Sequence, residues 1–182
     1  YLPIEQILGP GFIWVLSDGN LYVVDTQWHG GDGQPNALQH VKVAVYPDPV
    51  TRETGCLRVI PGSHRPEFQT HLSVLQGQYQ DPPQMPFGLT GADIPALPLE
   101  SNPGDVVFFS ENLWHGSFGG RGGRRMFTLI YYENPKTAAQ IDYLRDFHSR
   151  TTAMFHPHET FLNSDRPRVR GMVEKHVELG MA

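Results

Sequence analysis

The 182-residue chain has a single cysteine, Cys56. A lone thiol excludes an intrachain disulfide and suits a reducing compartment, so a cytoplasmic location is expected. Charge is also sparse: Asp, Glu, Lys and Arg make up 18% of the residues and the net charge is -5. The local basic run "GRGGRRM" at 120–126 is short. Without a longer one to neutralise a phosphate backbone, a nucleic-acid polymer is not an expected partner. No apolar run approaches the roughly 18 residues of a membrane span, and no signal-peptide pattern opens the chain. There is no initiator methionine, since the first residue is Tyr1; a fragment or ordered subset of a longer protein is expected. Repeats and low-complexity tracts are missing, and the length suits one domain over 1–182. Nothing in the composition specifies an oligomeric state.

Punctuation is plentiful. Gly (19) and Pro (16) separate short β-branched and aromatic runs, the pattern of many short strands. The expected strands are Phe12–Ser17, Asn20–Thr26, Val41–Pro47, Cys56–Pro61, Asp105–Ser110 and Met126–Tyr132. Asp18-Gly19 reads as a hairpin turn between the first two. "DVVFFS" is apolar throughout, as in a strand covered on both faces. Residues 65–103 show weak periodicity and several prolines, and read as a long loop or lid insertion. Helices are expected late, over Lys136–Arg150 and Arg166–Gly180, the second with Asp165 as N-cap and Gly180 as its stop. The class is mainly β, an antiparallel barrel or sandwich with helices toward the C-terminus.

Two histidines follow tryptophans near strand ends: His29 in "DTQWHGGDG" and His115 in "ENLWHGSF". They lie on different strands, so only the fold can bring them together. Imidazole is the commonest side-chain ligand of iron, zinc and copper, and two histidines with one carboxylate leave open positions on an iron. Downstream, Arg124 and Arg125 enter the apolar run "MFTLIYY". Side chains alternate along a strand, so one of the two points inward. That one is either part of a solvated charge pair or a guanidinium fork for a carboxylate on a small molecule. The "FHPHE" cluster at Phe155–Glu159 reads as a surface loop.

In this order, "DTQWHGGDG", "VKVAVYPDPVTRETGCLRVIPGSH", "NPGDVVFFSENLWHGS" and "RRMFTLIYY" resemble the phytanoyl-CoA dioxygenase family of iron- and 2-oxoglutarate-dependent enzymes. The resemblance implies a double-stranded β-helix, a jelly-roll or cupin-like barrel. It implies Fe(II) as metal, 2-oxoglutarate as co-substrate, and dioxygen and a small molecule as reaction partners. By it, His29 and His115 are the iron-binding histidines. Arg124 holds the far carboxylate of 2-oxoglutarate, with Ser117 assisting and Arg125 as a second candidate. The "IPGSH" turn is structural, and His64 is not a ligand.

The family's first ligand motif is His-x-Asp, but here Gly31 stands two after His29 and Asp32 comes one later. A β-bulge at Gly30-Gly31 would return Asp32 to the face of His29 and complete a hydroxylase centre. In a regular strand Asp32 would instead cap a turn. Gly31 would then leave the vacancy that chloride fills in related halogenases. The nearby carboxylate tips the balance toward hydroxylation. Two further readings are a degenerate, non-catalytic binder and a metal-dependent isomerase or zinc hydrolase without an arginine clamp. Trp28 and Trp114 are candidate walls of the site.

Overall fold

The computed structural model of the chain describes residues 1–22, 24–31, 37–79, 84–120, 122–151 and 156–182. The β-branched and aromatic runs form β1 (Ile13–Tyr22), β2 (Thr26–His29), β3 (His40–Val45), β4 (Leu57–Val59), β5 (Leu97–Leu99), β6 (Val106–Phe109), β7 (His115–Ser117) and β8 (Arg124–Tyr132). One sheet has the order β1-β8-β3-β6 and the other β2-β7-β4-β5. Successive strands alternate between the sheets, except that β4 pairs directly with β5. That winding is the double-stranded β-helix, or jelly roll.

Two compact units can be distinguished. The first comprises Gly19–Pro35 and Val43–Thr128. Its core lies between the sheets, where Ala44, Tyr46, Cys56, Leu57, Val59 and Phe109 pack together. Alternation along β4 sends Leu57 and Val59 to that side and Arg58 to the other. The buried Arg58 guanidinium donates to the carbonyls of Ala92 (2.7 Å) and Arg52 (2.9 Å) and lies over the Phe118 ring. On this far side a second cluster gathers Trp28, Leu75, Ile94, Trp114 and Phe118. Residues of 65–103 build much of it. This segment contains α2 (Pro66–Leu72), 3-10 turns at Ser73–Tyr79, Pro86–Gly88 and Gly91–Asp93, and β5. Trp28 Nε1 donates to Gly91 O at 2.8 Å.

The second unit comprises Tyr1–Asp18, Asn36–Lys42 and Leu129–Ala182. Ile13, Val15, Leu38, Ile130, Tyr132, Leu144 and Met181 form its core. It holds α1 (Leu2–Leu8), α3 (Ala138–Thr151), α4 (Glu159–Leu162), α5 (Pro167–Gly171) and α6 (Glu174–Glu178). His176 on α6 is buried and donates from Nε2 to Trp14 O at 2.6 Å. Burial pushes its pKa below the ordinary imidazole value, and the nearby His148 adds to the effect. Among the described residues no helix is long and apolar enough to cross a membrane.

Several sequence expectations are corrected. Asp18-Gly19 is not a hairpin turn: β1 runs through it, and Gly19 has no positive φ, which a type I′ turn requires. Instead, the bare Cα of Gly19 accommodates the Phe127 ring. The expected strand Asn20–Thr26 is therefore divided between β1 and β2. β6 is not covered on both faces. It ends its sheet, with Val106 and Phe108 exposed and Phe109 buried. The helix expected over Arg166–Gly180 breaks into α5 and α6, because Gly171 is a poor helix former and Val173 turns into the core. Asp165 is not its N-cap: Pro167 takes the first helical position and Arg166 the cap. Helix α1, at the other end of the chain, was not expected.

The "IPGSH" turn is structural, since buried Ser63 accepts the Trp114 N–H at 2.8 Å. Removing a buried acceptor strands its donor, at a cost of about 1–3 kcal/mol. Ser63→Ala is therefore expected to lower unfolding free energy in urea by that amount. The depressed His176 pKa has a definite sign. The folded protein favours the neutral ring, so this contribution is complete above the unfolded value near 6.5 and is lost as pH falls through the lower folded value. The urea midpoint of the wild type is expected to drop between pH 8 and pH 5, and His176→Gln is expected to flatten that drop.

Candidate metal centre

The two histidines meet through an irregular pairing of short strands. In the antiparallel β2–β7 ladder Thr26 faces Ser117 and His29 faces His115. Three steps on β2 match two on β7, so a β-bulge lies between Thr26 and His29. Residues directly opposite in such a ladder project to the same face. The imidazole centroids are 4.0 Å apart, with planes inclined at 54°. His115 is buried, and its ring meets that of Phe109 edge-on at 5.0 Å.

Each ring is held by its own backbone. His29 Nδ1 donates to Gln27 O at 2.8 Å, and His115 Nδ1 to Leu113 O at 2.6 Å. A carbonyl can only accept, so Nδ1 carries a proton in both rings, and Nε2 is the nitrogen left to serve as a ligand. Second-partner bonds of this kind orient metal-ligating imidazoles. Trp28 and Trp114, each one residue earlier, belong to the cluster beneath the 65–103 segment rather than to the histidine face. Alternation makes them core, not walls.

β2 ends at His29, and its register shift comes before the histidine. Strand alternation therefore does not extend to Gly31. Asp32 lies outside the described residues. Among the described residues no group of three or more His, Cys, Asp or Glu side chains is arranged to hold a metal. Both glycines after His29 have steric reasons. A Cβ on Gly30 would stand 2.9 Å from Trp114 Cα. On Gly31 it would overlap the Gln69 amide, with Gln69 Cδ at 2.8 Å and Asn112 Oδ1 at 3.0 Å.

Ser117 is two residues beyond His115 on β7, hence on the same face and about 7 Å along the strand. Arg124 opens β8 and is buried; its Nη1 donates to Gly55 O at 2.6 Å and to Ser117 Oγ. Ser117 Oγ in turn donates to Gly55 O at 2.7 Å. Gly55 has a φ of +91°, and a side chain there would overlap Nη1. Arg125 projects the other way, toward solvent, in a two-pronged pair with Asp48 at 2.8 and 2.6 Å. That guanidinium holds the Asp48 carboxyl below its usual range. The structure thus brings His29, His115, Ser117 and Arg124 into one region of the first unit and sends Arg125 outward.

His64 contributes its carbonyl, as an acceptor for Gln69. In the "FHPHE" cluster Phe155 lies outside the described residues, while His158 caps α4 by accepting from Thr160 N. Two residues escaped the sequence reading. Gly55 could have been suspected from the Thr54-Gly55 step before β4. Gln69 carries no local signal, because only packing brings α2 to the histidine strands.

Residues 25–127 match the family model described as phytanoyl-CoA dioxygenase. No curated protein matches the chain. Among solved structures, it is similar to AviO1 from Streptomyces viridochromogenes Tue57, with 19% identity and a TM-score of 0.54 over 73% of this chain and 56% of that one. It is similar to HygX from Streptomyces hygroscopicus with nickel, 2-oxoglutarate and hygromycin B bound, with 16% identity and a TM-score of 0.54 over 75% and 62%. The carbocyclase SnoK from nogalamycin biosynthesis gives 21% identity and a TM-score of 0.51 over 71% and 53%. At such identities the likeness is one of fold, and the chain spans less than two thirds of each of these structures. The family model, by contrast, matches more than half of the chain and contains both histidines, Ser117 and Arg124. The chain belongs to the phytanoyl-CoA dioxygenase family of iron- and 2-oxoglutarate-dependent oxygenases.

Proposed function

We propose that this chain forms an oxygenase centre that hydroxylates an unactivated C–H bond of a small molecule, using Fe(II), 2-oxoglutarate and dioxygen. The observation that supports it is the His29–His115 pair, with rings 4.0 Å apart and both Nδ1 atoms engaged by backbone carbonyls, beside the buried Arg124–Ser117 couple. The paired imidazoles suit an iron, and with one carboxylate beside them positions would remain for co-substrate and dioxygen. In this reading Asp32 supplies the carboxylate. When bound, iron and 2-oxoglutarate supply dioxygen activation and the oxidising power for the C–H bond.

The chain's own residues do the orienting. Donation from Nδ1 to the backbone aims both imidazoles and leaves Nε2 as the nitrogen that would hold the metal. Arg124, pinned through Nη1, offers a positive charge to the far carboxylate of 2-oxoglutarate, with Ser117 alongside. A buried carboxylate requires such a partner, because an uncompensated charge there is strongly destabilising. Phe109, edge-on to His115, helps to exclude water. Gly31 bears on the choice between hydroxylation and halogenation. Its missing side chain is accounted for by Gln69, which occupies that space, so the glycine has a packing reason independent of any halide. HygX with hygromycin B bound supports the small-molecule reading by analogy of fold.

Anaerobic addition of Fe(II) and 2-oxoglutarate is expected to produce a visible charge-transfer band that His29→Ala and His115→Ala abolish. Arg124→Ala is expected to weaken 2-oxoglutarate binding about 30-fold or more, as loss of a buried charged partner costs at least about 2 kcal/mol. Arg125→Ala should leave it within twofold. An Arg124→Ala protein that keeps its full activity would favour the isomerase or hydrolase reading. Asp32→Ala is expected to lose iron, and chloride to leave the wild-type band unchanged. Retained iron together with a chloride-shifted band would instead mark a halogenase.

A further inference from the structure

From the 65–103 segment, the buried polar side chain of Gln69 reaches the ends of the histidine strands. It lies on α2 and is 2% exposed. Its Nε2 donates to Asn112 O at 3.1 Å and to His64 O at 3.3 Å. Asn112 O also accepts the Gly31 N–H at 3.3 Å. One carbonyl therefore joins three segments. Gly31 is two residues after His29, Asn112 is three before His115, and Gln69 belongs to α2.

The same amide fills the volume in which a residue-31 side chain would sit. Gly31 must lack a Cβ for Gln69 to enter, and Gln69 must enter for its amide to reach Asn112 O. Sterics and hydrogen bonding thus specify the pair together. The ends of β2 and β7 beside the two imidazoles are set by a residue outside both strands.

We propose that Gln69 is a positioning residue for the histidine pair: by occupying the space beside Gly31 and bonding to Asn112 O, it fixes the spacing and angle of the His29 and His115 rings and couples the 65–103 segment to metal affinity. The inference rests on the metal-centre reading above and adds a residue to it. Gln69 is assigned no contact with the metal or the co-substrate. It acts through the backbone that carries the ligands, and a donor at this position is needed because the carbonyls of Asn112 and His64 can only accept.

The test is anaerobic titration with Co(II) alone, read by dissociation constant and by the visible ligand-field spectrum, alongside urea unfolding of the metal-free proteins. Gln69→Ala is expected to weaken Co(II) binding about tenfold or more and to shift the spectrum, while the apoprotein still unfolds cooperatively. Gln69→Met, which fills the space without donating, is expected to fall between Gln69→Ala and wild type. Gly31→Ala is expected to be at least as impaired as Gln69→Ala. In the double variant Gly31→Ala/Gln69→Ala, space for the new methyl is restored, so it is expected to be more stable and to bind Co(II) more tightly than Gly31→Ala. A Gln69→Ala protein with wild-type affinity and spectrum overturns the proposal, as does a double variant no better than Gly31→Ala. If the wild type itself does not bind Co(II), the metal centre is what fails. The apoprotein stabilities of the four proteins still show whether residues 31 and 69 compete for one space.

Discussion

The pairing of β2 with β7 is the constraint from which the rest of the site follows. Two very short strands place His29 directly opposite His115, and every further element of the site is a local addition to that ladder. The bulge before His29 sets which residue faces which. The carbonyls of Gln27 and Leu113 each accept from Nδ1 of one ring and orient it. Ser117, on the same face of β7, brings the Arg124 guanidinium to the same region. A one-residue slip in this register would turn a histidine into the layer that Trp28 and Trp114 occupy.

The two tryptophans explain why the register holds. Both are fully buried beneath the 65–103 segment, so exchanging either with a histidine would place a large apolar ring on the polar side and an imidazole in an apolar layer. The Trp-His dipeptides at 28–29 and 114–115 thus serve as orientation devices. One residue of each is committed to packing and the next is thereby committed to the site. Arg124 and Arg125 follow the same logic on β8. Gly55 and Gly120 leave room for the inner guanidinium, and Asp48 pairs with the outer one.

Legibility from sequence was uneven, for physical reasons. Strand content and the late helix α3 could be read because alternation and helical spacing are local. The edge position of β6 could not, since an apolar run looks alike whether one face or two are covered. The Asp18-Gly19 step was misread for a related reason: the dipeptide favours a turn, but β1 carries it as an extended segment against Phe127. Alternation required one of Arg124 and Arg125 to point inward, the resemblance put Arg124 first, and the structure buries Arg124.

The sequence by itself determined the short-strand architecture, because alternation and turn residues are local, and its motifs carried the resemblance that named the family and offered the histidines, the serine and the arginine pair as candidates. Tertiary structure alone decided that Arg124 lies inside and Arg125 outside, and that β2 ends at His29. It alone showed that the space beside Gly31 belongs to Gln69. Those outcomes depend on which distant segments come to share one volume, and no pattern along the chain encodes a competition for space between residues 38 positions apart.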